Sequence, residues 1–534
     1  MKIDTKYLGP TTKMSQSASM KKLKIIRKLG NIESIYDNEI LNENFLLSRV
    51  FRTEIPTELS RAAVSQALEI WVKRHPLLQS CIYRTLDEKS HRPKILLPKY
   101  FVYLDKNLNS YDNIEMLETR NDRLWMELIE TELKTNFSLE NEPLWRMKIV
   151  KVLENEASSN HYDFIFTNHH AIGDGRNLYT IMIQFLNILG ALLEKKTCIE
   201  MNAEIEHSNF CMEELTDVFK SEQDTECAIE NFFIDRRKQT NYLNKLNGRY
   251  HIYNSLCEKI DENSFMLEEL VEKFKAKLKY KSEILNIGFD ELTHRMPSSL
   301  GDRANGTHGR FLNVYVESFK LEKLIKKMKL NAPKCKLTSV LAVLFCMSLR
   351  QSYAKYGVQD IPLDSFQFDL LSSLREKFKI KNSQMGVYSV SIKSRLDGEI
   401  DKQNLWAKAQ SLSLLTHERI KNNEDVEGLS KIPKLIGLIE SGYDFFNNQS
   451  FNFCLSNIGV MKNTASNLIK VKEHYVAMPT LENRFDPVLF NSISTIDNNL
   501  CWGISFNEKV FSGEFVLDLK SALVGLIDEI VNDY

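Results

Sequence analysis

The stretch NHHAIGDG, Asn168 to Gly175, puts two successive histidines, His169 and His170, just before Asp174 and Gly175. A histidine titrates near pH 6.5, so at neutral pH it is mostly uncharged and able to take a proton from a hydroxyl or an amine. Such general-base help is worth roughly 10²- to 10⁴-fold in rate. Two histidines and a carboxylate are also a ligand set for zinc or iron. Here, however, the rings are neighbours at the end of a strand-like run, where successive side chains point to opposite faces, and no shared metal ion is expected. A plainer reading makes Asp174 the cap of the helix that follows and both histidines ordinary core or surface residues. Capping accounts for Asp174 and Gly175, but it does not account for a histidine pair at the same seam. Other chemistries lack their motifs: there is no GxSxG elbow and no GxxxxGK[ST] phosphate loop, and GDGRNL has leucine where a dinucleotide fingerprint needs its third glycine.

The octapeptide lies between two apolar runs, so the elements that position it are legible. HYDFIFTNH reads as a strand that delivers the histidines. Beyond Gly175, Leu178, Ile181, Met182, Phe185, Leu186 and Leu189 form the stripe of a core-facing helix. Upstream, LNENFLLSRVFRTEI reads as strand, and LSRAAVSQALEIWVKRHPLL as a helix that ends against Pro76, with Val64, Leu68 and Trp71 on one face. QSCIYRT and PLWRMKIVKVL read as strands, and DRLWMELIETELKTNF as a second amphipathic helix. This order predicts an α/β layered domain ending near residue 200. Residues 201–300 are charged and helix-favouring, and their Lys273–Lys281 stretch is expected to be a solvated face, with contact to phosphate or a membrane surface as the competing reading. A second block follows: GRFLNVYVESF, SFQFDLLSSLR, MGVYSVSIKS, SFNFCLSNIGV and LCWGISFN as strands, with LEKLIKKMKL, LTSVLAVLFCMSLRQSYAKYG and Leu405–Ile420 as helices.

Composition narrows the class. Of 534 residues, 43% are hydrophobic and 10% aromatic, enough apolar surface for two packed domains. Basic and acidic residues number 70 and 71, so the strong positive field of a nucleic-acid binder is absent and no nucleic-acid partner is expected. Nine cysteines run from Cys81 to Cys501 without a CxxC pair, which fits reduced core thiols in a cytoplasmic protein. No signal peptide or membrane span is expected, since the longest apolar run, Leu178–Leu193, is broken by Gln184 and Asn187.

His169 to Gly175 resembles the HHxxxDG motif of the CoA-dependent acyltransferase superfamily, which includes alcohol acetyltransferases, polyketide-associated acyltransferases and peptide-synthetase condensation domains. Other stretches are similar to further family segments in the same order. KRHPLLQSCIYR resembles the RHP segment, NEPLWRMKIV the PLWR strand, LLSSLREKF with MGVYS the NLR…GN segment, LSNIGV the SN-x-G strand and CWGISFNEKVFSGE the closing strand. Ser373 replaces the usual asparagine before Leu-Arg, and the DFGWG motif of the plant branch is absent.

The resemblance implies an α/β fold of two similar chloramphenicol-acetyltransferase-like layered domains, each a mixed sheet plus helices, with an active-site tunnel between them. The implied division is a loose N-terminus over 1–20, a first domain over 21–200 carrying the motif, a connecting segment over 201–300 and a second domain over 301–534. It implies transfer of an acyl group, acetyl above all, from a CoA thioester to the hydroxyl or amine of a small hydrophobic acceptor. His170 would be the base, His169 its support, Asp174 a structural carboxylate paired with Arg375, and Gly175 an opening at the turn. Asn457 or Ser494 would donate to the oxyanion. Acyl-CoA would be a co-substrate, with no bound cofactor and no metal, and the enzyme a cytoplasmic monomer whose contact with a membrane surface stays open. The alternatives are a condensation-type enzyme that takes its donor from a carrier protein and a non-catalytic binding relative.

Overall fold

The run LLSRVFRTEI becomes a ten-residue strand, Leu46–Ile55, inside the sheet of the first half. The computed structural model describes residues 24–38, 43–84, 99–104, 113–138, 142–153, 160–195, 309–356, 365–426, 453–464, 466–479, 489–508 and 511–533. The expected loose N-terminus over 1–20, the connecting segment over 201–300 and its Lys273–Lys281 stretch lie outside the described residues. In chain order the first half has β1 (Ile25–Lys28), α1 (Asn31–Tyr36), the short pair β2 (Asp37–Asn38) and β3 (Glu43–Asn44), β4 (Leu46–Ile55), α2 (Arg61–Arg74) and β5 (Ser80–Arg84). It continues with β6 (Lys99–Tyr103), β7 (Ile114–Thr119), α3 (Leu124–Leu133), β8 (Trp145–Val152), β9 (Asn160–His169) and α4 (Gly175–Leu193). The second half has β10 (Gly309–Val316), α5 (Ser318–Asn331), α6 (Leu337–Lys355), β11 (Ser365–Ser373), β12 (Ser389–Asp397) and α7 (Leu405–Lys421). It closes with β13 (Phe453–Met461), β14 (Lys470–Ala477), β15 (Leu489–Ile496), β16 (Asn499–Asn507) and α8 (Gly513–Asn532).

Two mixed sheets organise these elements. The first is ordered β14-β4-β9-β8-β7 and the second β10-β16-β15-β13-β11-β12, while β1-β6-β5 forms a small third sheet. β14 comes late in the chain yet pairs antiparallel with β4, Tyr475 opposite Val50 and Ala477 opposite Ser48. The first sheet is therefore completed by a strand from the second half, so the two halves in space do not separate at a single point in sequence. Each sheet carries helices and its own apolar core.

The site rests on α4. Its stripe residues Leu178, Ile181, Met182, Phe185, Leu186 and Leu189 are all fully buried, and burying each such side chain contributes roughly 1.5–3 kcal/mol. Trp71 on α2 donates its indole N–H to the Ile181 carbonyl at 2.7 Å, which fixes the register of the two helices. At Gly190 a β-carbon would lie 2.2 Å from the Ser466 hydroxyl, so only glycine lets the loop before β14 pass this closely. α4 and α6 are long and apolar enough to cross a membrane by length and composition, but both are mostly buried within the fold.

Candidate active site

β9 ends at His169, and its last residue caps a single 3-10 turn, His170–Ile172. His169 is fully buried, and its Nδ1 accepts from the Ala171 amide at 3.2 Å, so this ring shapes the turn. His170 is tied at its backbone, donating its amide to the Phe45 carbonyl at 2.7 Å. Its ring stacks on Tyr36, centroids 4.0 Å apart and planes 9° apart. Only 8% of His170 is exposed, and its Nδ1 is buried with no hydrogen-bond partner among the described residues. Burial, and then the Arg49 charge, push its pKa from 6.5 to about 4, although Asp174 pulls the other way. The ring is a neutral base at neutral pH.

Asp174 serves two ends at once. Its Oδ1 accepts the Asn177 amide at 2.9 Å as the N-cap of α4. Its Oδ2 accepts from Arg375 Nη2 at 2.8 Å and Nε at 3.1 Å and from the Tyr388 amide at 3.1 Å. Asp174 and Arg375 are 3% and 1% exposed, and the guanidinium with these amides holds the carboxyl below its ordinary range despite burial. Arg375 spends its remaining donors on the carbonyls of Lys381, Gln384 and Gly386. Capping and ion pairing, which compete as readings of the sequence, are thus both present, and the pair ties the histidine turn to the second half. A backbone bridge repeats the tie: Gly386 donates to the Ile172 carbonyl at 3.1 Å and lies opposite Gly173. Gly386 has φ +132°, in the region that favours glycine.

Gly175 differs from its expected role. A β-carbon there would meet Ile458 at 3.5 Å, an ordinary contact, so the turn does not require glycine at this point. The steric need falls two residues earlier, on Gly173, where a β-carbon would lie 2.6 Å from Asn177 Oδ1 and 2.8 Å from Leu178. Asn457 neighbours Ile458 on β13, but its amide donates to the Thr338 hydroxyl at 2.9 Å and its oxygen accepts the Gly459 amide at 3.0 Å. Ser494 is buried and donates to the His474 carbonyl at 3.0 Å, with its oxygen 3.2 Å from His474 Nδ1. Neither side chain is turned to His170 by these bonds. His170, Asp174, Gly175 and Arg375 are brought together; Asn457 and Ser494 are held by other partners.

One charged residue at the seam is absent from the sequence reading. Arg49 on β4 is fully buried and donates from Nη1 to the Gly175 carbonyl at 3.3 Å, while Nε and Nη2 have no partner among the described residues. Burial lowers its pKa to about 9, opposed by Asp174, so it stays protonated at neutral pH. Its charge also depresses His474, which is held neutral mainly by burial. The signal was present in sequence: strand alternation sets Arg49 on one face with Leu47 and Phe51, where a charge is out of place. The cavity of about 250 Å³ lined by Asn113, Glu132 and Arg146 includes none of these residues. At His170 the seam is packed, Tyr36 lying flat on the ring.

No protein-family model matches the chain, and no curated protein matches it by sequence. Solved structures do. A trichothecene 15-O-acetyltransferase from Fusarium sporotrichioides matches with TM-score 0.58 at 10% identity, over 95% of this chain and 94% of that one. Polyketide synthase associated protein 5 from Mycobacterium tuberculosis matches with TM-score 0.53 at 10% identity, over 96% and 99%. The first condensation domain of the CDA synthetase matches with TM-score 0.51 at 10% identity, over 95% and 96%. The chain has the two-halved, chloramphenicol-acetyltransferase-like fold of acyltransferases and condensation domains.

Proposed function

We propose that this chain is an acyltransferase that moves an acyl group, acetyl above all, from a CoA thioester to the hydroxyl or amine of a small hydrophobic acceptor. The observation that carries this reading is His170: a neutral, nearly buried imidazole on a turn that Asp174 and Arg375 clamp to the second half of an acyltransferase fold. In this mechanism Nε2 accepts the acceptor's proton as its oxygen or nitrogen attacks the thioester carbon, and the same proton later goes to the departing thiolate. No side-chain nucleophile is needed, so both substrates are bound together. His169 and Asp174 hold the turn and touch neither substrate. Five described cysteines are buried and outside any disulfide, which supports a cytoplasmic setting; the enzyme is taken to act as a monomer, through a tunnel between the halves.

The test is incubation of the purified full chain with radiolabelled acetyl-CoA, longer acyl-CoA thioesters and a panel of alcohols and amines. Label should move to at least one acceptor. Turnover only with an acyl group on a carrier protein would replace the free thioester by a condensation-type donor, a reading favoured by the likeness to the condensation domain. No turnover with either donor would leave a binding relative.

A further inference from the structure

A thioester carbonyl under attack places negative charge on its oxygen, and the two donors expected from sequence, Asn457 and Ser494, are engaged with Thr338 and His474. The charges at the seam are unevenly matched. Asp174 is saturated by Arg375, Asn177 and Tyr388. Arg49 is a second buried cation whose one hydrogen bond among the described residues is the 3.3 Å contact to the Gly175 carbonyl. Its Nε and Nη2 lie along one edge of the guanidinium, both sealed from solvent and both without a partner among the described residues. That edge is the fork which grips an anionic oxygen. A buried charge with empty donors is costly to fold around, so a protein retains one where negative charge arrives.

We propose that Arg49 is a catalytic residue that receives the negative charge developing on the reacting carbonyl oxygen; this rests on the acyl-transfer reading above. As the acceptor oxygen or nitrogen bonds to the carbonyl carbon, its proton passes to His170 Nε2 and the carbonyl π pair moves onto oxygen, which faces the Nε–Nη2 edge of Arg49. The oxyanion then re-forms the double bond, the carbon–sulfur bond breaks, and the thiolate takes the proton from His170. Arg49 also opposes a positive charge on His170, so the base is returned to its neutral form after each turnover.

The experiment compares wild type, Arg49→Met and Arg49→Lys as full-length chains. Arg49→Met should lower kcat about 10²- to 10³-fold with KM for both substrates little changed, and Arg49→Lys should recover part of the loss. Its melting temperature should equal or exceed that of wild type, because an apolar side chain of similar length replaces an unpaired buried charge. A brace with no part in the chemistry predicts the reverse, a lower melt with kcat intact in the folded fraction, and that result overturns the proposal. A second arm needs no turnover: sodium formate, against sodium chloride at equal ionic strength, should raise the melting temperature of wild type and leave Arg49→Met unmoved. An equal response in both overturns the anion site. A chain inert with every acyl donor but stabilised by formate through Arg49 refutes acyl transfer and supports the anion site.

Discussion

In the proposed mechanism His170 serves as the base because of where it is buried. Desolvation, reinforced by Arg49, brings its pKa to about 4, so the reactive neutral form persists well below the ordinary value of 6.5. The acid limb of kcat/KM should accordingly fall near pH 4 to 5 instead of near 6.5, measured at temperatures where the chain stays folded; a limb at 6.5 would mean an exposed ring. Asp174 works by holding. Removing its carboxylate by Asp174→Ala leaves Arg375 buried and uncompensated, and should cost about 3–5 kcal/mol in urea unfolding. Asp174→Ala combined with Arg375→Met should cost less than the sum of the two single changes, because both remove the same pair. His170, Asp174 and Arg375 were legible in the sequence because their residue types and order form a pattern that family resemblance can read. For Arg49 the strand alternation shows only a charge on a core-facing side; its contact with Gly175, 126 positions away, belongs to no motif, so its place in the site is not legible.

Elements explain why the turn has its shape. The site sits where β9 stops, α4 starts and the Gly386 loop of the second half crosses Gly173. Two glycines of one motif should therefore behave oppositely. Gly173→Ala forces a methyl against Asn177, whose amide bonds the Asn382 and Gln384 carbonyls at 2.8 and 3.1 Å, and should destabilise by about 1–3 kcal/mol. Gly175→Ala enters ordinary contact with Ile458 and should stay within about 0.5 kcal/mol of wild type; equal losses would show that the turn is held by something other than this packing. Helical periodicity made α2, α4 and α6 readable, because each buries a stripe or a whole surface. β15 escaped notice for the opposite reason. Its residues are buried on both faces, yet Asn491, Ser492, Ser494 and Thr495 are polar, satisfied in part by Trp502 and the carbonyls of Val476 and His474. β14 and α8 were likewise unread, and no local pattern says that β14 will cross to β4, a pairing decided by tertiary fit.

At the scale of the molecule, two layered halves are joined by a shared strand and by an ion pair at the seam; the alternation of strand and helix signals points to layered α/β architecture but not to the strand that crosses between the halves. Burial of histidines gives the whole chain a pH signature. His75, which bonds Gln184 at 2.8 Å, and His170 have pKa values lowered to about 4, and His474 is lowered as well, each mainly by burial. Below pH 6.5 the unfolded chain binds protons that the folded chain refuses, so their contribution is complete above 6.5 and is lost as pH falls towards about 4. Asp174, whose pKa is lowered from 3.8, adds a further loss below that value. The melting temperature should hold from pH 8 to 7 and fall steadily between 6.5 and 4; a flat profile would contradict the burial of these rings. On the proposed reading, function at this scale reduces to acyl transfer through one imidazole. The most direct test is single-turnover transfer of label from acyl-CoA to an accepted alcohol or amine at neutral pH, with wild type and His170→Ala compared at equal folded concentration. The account predicts a loss of roughly 10²-fold or more with a melting temperature close to wild type, and transfer by His170→Ala at the wild-type rate would contradict it.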